Sequence, residues 1–217
     1  MTGRCTSPPC LAEGFDPSDL DQTQAQDVAR WRKAERQRLR AERDGISVAA
    51  RQDIGHAIAA GLLAFLHDRF GDMTGRVFSG YWPIKGEPNL RPVLEALHRE
   101  GAMVALPLVE VKAAPLVFRR WTPQTRMVRG NWNIPVPPPD AEVVVPEISL
   151  APVVGWTDDG FRLGYGGGYF DRTLAALDPR PFTIGIGLAA ARLATIFPQP
   201  HDIPLDVILT ETGVAAP

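Results

Sequence analysis

The stretch 160–172, GFRLGYGGGYFDR, concentrates the residue types that hold phosphate. Gly164, Gly166, Gly167 and Gly168 let the backbone take torsions closed to other residues, so that its N–H groups can converge on an anion. If a helix begins at Gly168 or Tyr169, its N-terminal partial positive charge points the same way, and Arg162 and Arg172 add full charges. Asp171, in the same loop-to-helix turn, suits a magnesium ion, which prefers one or two carboxylates completed by phosphate oxygens and water. The pattern is not a Walker loop, because no GK[ST] follows, and it lacks the correctly placed acid of the dinucleotide fingerprint. A plain tight turn with an early-helix carboxylate is the competing reading. Arg162, Tyr165, Tyr169 and Asp171, which such a turn does not need, favour the ligand-binding one.

Three other constellations can serve such a loop. Arg30, Arg32, Lys33, Arg36, Arg38, Arg40 and Arg43 form a basic run broken by Glu35, Glu42 and Asp44. Arg32, Arg36 and Arg40 recur every four residues, so on a helix they share a face and can present guanidinium groups to an anion. A solvated helix laced with ion pairs is the alternative. Nucleic acid is a third option, disfavoured by a net charge of −2 and by the lack of a second basic, aromatic-interleaved surface.

The motif YWPIKGEP at 81–88 follows an expected strand, where Trp82 can stack on a heterocycle and Glu87 can accept from ring N–H groups. Trp132 in GNWNIP is a second stacking candidate, and both tryptophans suit core lids equally well. In PHDIPLD at 200–206, Asp206 can join Asp171 at one magnesium ion; equally, His201 and Asp202 can cap a turn and Asp206 can simply start a strand. No GxSxG elbow and no cysteine–histidine signature offers a protein nucleophile.

The elements that must position these residues alternate. Residues 1–22 carry Pro8, Pro9, Pro17 and small polar residues without periodicity and read as a flexible extension. Helices are expected over 23–43, with Thr23 as cap and Gly45 as stop, and over 48–70 after Ser47, with Ile54, Ile58, Leu62, Leu63, Phe65 and Leu66 on an apolar face. Strand-like runs at 77–81, 104–106, 116–121, 150–155, 182–187 and 207–209 enclose helical patterns at 90–100 and 169–177. That alternation predicts an α/β layered fold with a largely parallel sheet in one domain over 23–217, with ligands beyond the strands' carboxyl ends. The proline-dense segment 131–146 reads as an ordered crossing loop or an exposed one. The composition, 45% hydrophobic and 22% charged over 217 residues, is ordinarily globular. Cys5 and Cys10 fit neither a redox pair nor a zinc site, and no signal peptide or membrane-spanning run is visible, so a reducing cytoplasm is the expectation.

RLGYGGGYFD at 162–171 resembles the signature of the 5-formyltetrahydrofolate cyclo-ligase family, also called methenyltetrahydrofolate synthetases. The likeness spans roughly residues 30 to 210. The basic helix is similar to that family's Lys-x-x-x-Arg element, Glu87 to its folate-binding acid, WNIP at 132–135 to its substrate loop and Asp206 to a late metal-binding aspartate. Arg32 stands where many relatives have lysine, Thr157 where they often have aspartate, and Gly167 replaces a lysine found in some. The resemblance implies a three-layer α/β/α fold of the NagB/RpiA/CoA transferase-like kind. It also implies conversion of 5-formyltetrahydrofolate to 5,10-methenyltetrahydrofolate with ATP and Mg2+, releasing ADP and phosphate. By that likeness Arg32, Lys33, Arg36, Arg162, Gly164, Tyr165, Gly166, Gly167, Gly168, Tyr169 and Phe170 hold ATP, and Trp82, Glu87, Trp132 and Tyr169 hold the folate. Asp171 and Asp206 then hold the metal, with Arg162, Tyr169 and Asp171 at the reacting centre. The expected partners are these small molecules, without nucleic acid or membrane, and the expected state is a monomer. A catalytically silent folate- or nucleotide-binding paralogue of the same fold is the alternative.

Overall fold

The computed structural model describes residues 22–216. The extension expected over 1–22, with Cys5 and Cys10, lies outside the described residues but for Gln22. Helix α1 (Gln22–Asp44) is built from Ala, Gln, Glu and Arg, strong helix formers, and includes Thr23 rather than starting after it. Gly45 closes it by donating to the carbonyls of Ala41 and Glu42 at 3.0 and 3.1 Å. The Ser47 hydroxyl accepts from the Ala50 amide at 3.2 Å and caps α2 (Val48–Phe70), as its sequence predicts.

Strand β1 (Val77–Ser79), α3 (Arg91–Arg99), β2 (Met103–Leu108) and β3 (Val117–Arg120) follow, then the short hairpin β4 (Val128–Arg129) and β5 (Pro135–Val136). The chain continues through β6 (Ile148–Pro152), the hairpin β7 (Gly155–Trp156) and β8 (Arg162–Leu163), and α4 (Tyr169–Ala176). It ends with β9 (Phe182–Ile186), β10 (Val207–Thr210) and β11 (Gly213–Ala216). Seven strands form one sheet in the order β11-β10-β9-β6-β1-β2-β3. The five inner strands run parallel, and β3 and β11 close the edges antiparallel. The proline-dense segment is ordered along β3: the Arg120 amide donates to Glu142 O at 2.8 Å and the Val144 amide to Phe118 O at 2.9 Å.

The pleat sends alternate residues to two cores. Leu150, Ile184 and Leu209 pack with Ile58, Leu62 and Leu66 of α2 and with Leu94 and Leu97 of α3. On the opposite face Ala151 and Ile208 pack with Leu39 of α1, Leu163 of β8 and Leu174 of α4. The result is three layers. From β1 the chain winds outward through β2 and β3; from β6 it winds the other way through β9 and β10. The loops leaving β1 and β6 therefore part at a switch of direction, where parallel sheets open a crevice at their carboxyl ends.

Two polar junctions secure the second face. Arg32 of α1 donates to Ile196 O and Phe197 O, both at 2.8 Å, and forks onto both oxygens of Asp202. The two side chains are 11% and 10% exposed, so the pair is nearly dry. Burial opposes the charge on Asp202, but Arg32 and the Gln199 amide outweigh it and hold the carboxyl below the usual carboxylate range. The second junction is Gly160, at φ 76°, whose carbonyl accepts from the Leu205 amide at 3.0 Å. A Cβ there would lie 2.5 Å from the Leu205 carbonyl oxygen.

Because the folded-state value of Asp202 is depressed, its contribution is complete above the ordinary carboxylate value of about 4 and disappears as pH falls through the lower one. Asp202→Asn is expected to cost roughly 3 kcal/mol at pH 7, as expected when one member of a buried pair is removed. The gap from the parent should narrow in acid. Urea unfolding from pH 7 down to pH ~3 checks both points. Gly160→Ala is expected to lose about 2–4 kcal/mol through backbone strain and collision, read from the same transition at pH 7.

Candidate active site

At the switch crevice Tyr165, from the glycine loop between β8 and α4 in the connection that leaves β6, meets Glu87, from the loop after β1. The Tyr165 hydroxyl donates to Glu87 Oε1 at 2.6 Å and accepts from Arg43 Nη2 at 2.7 Å. The Ile84 amide donates to Glu87 Oε2 at 2.8 Å, so both carboxylate oxygens are engaged. Cations surround the phenol ring: Lys85 Nζ lies 5.5 Å from its centroid, and the Arg40 and Arg43 Cζ atoms each lie 5.8 Å away. Arg36 donates from Nε to Gly164 O at 2.7 Å, and its guanidinium runs beside Gly166, where a Cβ would sit 3.5 Å from Cζ. The row Arg32, Arg36 and Arg40 thus does share one face, and that face is turned inward.

Electrostatics follow from burial. Desolvation pushes the Glu87 carboxyl up, against the pull of Tyr165, the Ile84 amide and Arg43. Burial, reinforced by Glu87, raises the Tyr165 phenol, which therefore stays protonated and donating. Desolvation lowers Arg36, with Arg32 adding repulsion and Asp202 opposing both. Arg40 Nε and Arg43 Nε are buried without a hydrogen-bond partner. Buried guanidinium donors left open in this way point to an anion acceptor.

Beyond Tyr165 the loop is left-handed at Gly166 (φ 95°) and Gly168 (φ 62°), and Gly168 begins α4 without a side-chain cap. Among the described residues nothing accepts from the amides of Gly166, Gly167 and Gly168. The Tyr169 ring lies against Gly167, where a Cβ would be 2.7 Å from it, and meets Trp132 edge to face at 5.7 Å. Trp132 is 68% exposed and, with Asn133, holds a positive φ. These features place an aromatic pair, Trp132 exposed and Tyr169 half-buried, beside open amides.

Other expected site residues are placed differently. Arg162 is almost fully buried and donates to Asp171 Oδ1 and to Ile203 O, both at 2.6 Å, with Phe170 lying 5.0 Å from its Cζ. Its hydrogen bonds go to Asp171 and to the Ile203 carbonyl. Arg32 is saturated by Asp202 and two carbonyls, Lys33 is exposed, and Trp82 packs on the first core with Arg91 5.2 Å over its ring. Asp206 sits at the start of β10, where Oδ2 accepts from the Thr183 amide and hydroxyl and Oδ1 from Arg180. That is the opposite end of the strands from the crevice, and Asp206 is not brought together with Asp171. Among the described residues no group of three or more metal-ligating side chains forms. Asp171 Oδ1 accepts from Arg162 and from the Ile203 amide, and Oδ2 has no hydrogen-bond partner among the described residues. A magnesium ion held mainly by phosphate and water fits that donor set.

Arg40, which the four-residue spacing offers to an anion, is joined here by Arg43 and Lys85, which the sequence reading did not assign as ligands. Arg40 and Arg43 lie in the basic run, and Lys85 two residues before Glu87. The exposed arginines of α1 are spent in ion pairs, Arg30 with Asp27 and Arg38 with Glu35 and Glu42. The helix therefore presents no continuous free cationic stripe to a polyanion. No helix among the described residues is long and apolar enough to cross a membrane.

Residues 28–211 match the model of the 5-formyltetrahydrofolate cyclo-ligase family. A 5-formyltetrahydrofolate cyclo-ligase of Mycolicibacterium smegmatis is 31% identical over 153 residues, 66% of this chain and 78% of that protein. The Escherichia coli K12 protein of the same name is 30% identical over 135 residues, 59% of this chain and 74% of its own. Among solved structures, the 5,10-methenyltetrahydrofolate synthetase of Aquifex aeolicus superposes with a TM-score of 0.69 at 26% identity, covering 85% of this chain and 92% of that one. That of Mycoplasma pneumoniae shares the fold, with a TM-score of 0.68 at 23% identity, over 83% and 98% of the two chains. With the family model matched over most of its length and the sheet superposing on solved relatives, this chain belongs to the 5-formyltetrahydrofolate cyclo-ligase family.

Proposed function

We propose that this chain converts 5-formyltetrahydrofolate to 5,10-methenyltetrahydrofolate at the expense of ATP. The observation that carries the reading is the meeting of the glycine loop with Glu87 through Tyr165, which brings a phosphate-type loop and an acceptor carboxylate into one crevice. The chemistry needs no protein nucleophile. The formyl oxygen takes the γ-phosphoryl group as the bond to ADP breaks; N10 then attacks the formyl carbon and loses its proton, and the oxygen leaves with phosphate. A formamide oxygen is otherwise a poor leaving group, and such transfer depends on positioning and charge stabilisation.

In this reading the open amides of Gly166, Gly167 and Gly168, the N-terminus of α4 and Arg36 hold the nucleotide phosphates, joined by Arg40 and Lys85. Glu87 accepts from the N–H edge of the folate ring, while Trp132 and Tyr169 close over it. Asp171 Oδ2 faces the cation, and Arg162 with the Ile203 amide keeps that carboxylate oriented through Oδ1. Magnesium, when bound there, neutralises charge on the phosphate oxygens. Asp206, with both oxygens committed at the far edge, has an architectural task in joining β9 to β10.

Purified chain supplied with ATP, magnesium and 5-formyltetrahydrofolate is expected to generate the absorbance of the methenyl product. A rate no higher than that of boiled protein removes the reading, and ligand-induced thermal stabilisation without product assigns the chain to a silent binder instead. Asp171→Asn is expected to lower kcat by about 100-fold or more, the scale seen when a charge-stabilising group is removed. Since burial raises the Glu87 carboxyl, folate affinity should fall as acidification protonates it, beginning at higher pH than for an exposed glutamate. Glu87→Gln should abolish that pH dependence, read by direct binding between pH ~4 and ~8.

A further inference from the structure

Glu87 Oε2 is held by the Ile84 amide and Oε1 by the Tyr165 hydroxyl. A ring N–H edge that uses Oε1 must compete with a phenol already donating there at 2.6 Å. The phenol is a planar ring with a donor at its edge, lodged among Lys85, Arg40 and Arg43 at 5.5 to 5.8 Å from its centroid. A planar heterocycle with N–H donors offers the same features. We propose that Tyr165 and the folate substrate compete for Glu87, and that the tyrosine thereby couples the folate site to the nucleotide loop. The inference rests on the function proposed above.

The backbone permits the exchange. Tyr165 stands between Gly164 and Gly166, which free the backbone on either side, and its residue is 36% exposed, so part of the side chain already faces solvent. Its departure has an electrostatic result. Arg43, 6% exposed, has the Tyr165 hydroxyl as its hydrogen-bond acceptor, and both Arg43 Nε and Arg40 Nε already lack one. Once the phenol leaves, the buried Arg43 guanidinium and the buried Nε of the half-buried Arg40, beside the glycine loop, need an anion, and triphosphate oxygens meet that need. Folate binding then tightens nucleotide binding, and reciprocity requires the converse.

The test is calorimetric binding of 5-formyltetrahydrofolate and of an ATP analogue with a non-cleavable β–γ bridge, each alone and in the presence of the other. The parent chain is expected to bind each ligand about tenfold more tightly when the other is bound, about 1.4 kcal/mol of coupling. Tyr165→Phe, which removes the hydroxyl, is expected to bind folate alone about tenfold more tightly, the scale of one hydrogen bond to a charged group. Its coupling should shrink to less than about twofold. Tyr165→Met, which also lacks the hydroxyl but keeps bulk, carries the same expectation if the phenylalanine variant folds poorly. Folate affinity unchanged or weakened in these variants, or coupling at the parental value, overturns the competition. If the parent binds and turns over both substrates while the variants show no gain, only this inference falls. A parent that binds neither ligand overturns the functional reading and this inference together.

Discussion

A guanidinium nearly sealed from water, held by a phenol and balanced by a carboxylate beyond it, is the constraint around which this molecule is arranged. Arg43, Tyr165 and Glu87 come from the end of α1, the glycine loop between β8 and α4 and the loop after β1, and the phenol links the other two. Removing charges from water is costly unless each finds a partner. The three segments must therefore converge, and the sheet is wound so that they do. Because β1 and β6 lie side by side and lead away in opposite directions, their following loops share one crevice. The remaining side of that crevice is supplied by α1.

The same constraint explains how a chain of net charge −2 carries so basic a first helix. Its charges are distributed by direction. Outward arginines close on acids of their own helix, while Arg32, Arg36, Arg40 and Arg43 reach inward to carbonyls, a carboxylate and an aromatic face. Arg32 spends its charge on Asp202 and keeps the helix seated, whereas Arg40 retains unmet donor capacity near the loop. One stripe of identical residues thus separates into an anchor and a receptor, according to what lies across from each.

Much of this was legible along the chain. The glycine loop could be read because its flexible backbone, its charges and the helix start are contiguous, and α2 because its apolar spacing and Ser47 cap are local signals. The layered parallel sheet followed from alternating strand and helix patterns. What escaped depended on contacts between distant residues. Arg32 and Asp202 are separated by 170 positions, and only the fold reveals that the arginine is already occupied. Asp206 has the chemistry of a metal ligand, yet the parallel pairing of β9 with β10 sets it beside Thr183 and Arg180. Strands β4, β5, β7 and β8 are two residues each, too short for any periodicity to register, and β11 was missed as well.

The anchorage of α1 sets the order in which this protein comes apart. Among its described side chains only Val28, Leu39 and Arg43 are buried, so the helix adheres mostly through charged and polar contacts, while α2 rests on a continuous aliphatic seam. Acid weakens the former and leaves the latter nearly untouched. Acidification below the usual carboxylate range is therefore expected to loosen the first helix while the sheet remains intact, and amide exchange along α1 would report that opening. The crevice loses one wall in the process, so catalytic competence is surrendered ahead of global unfolding.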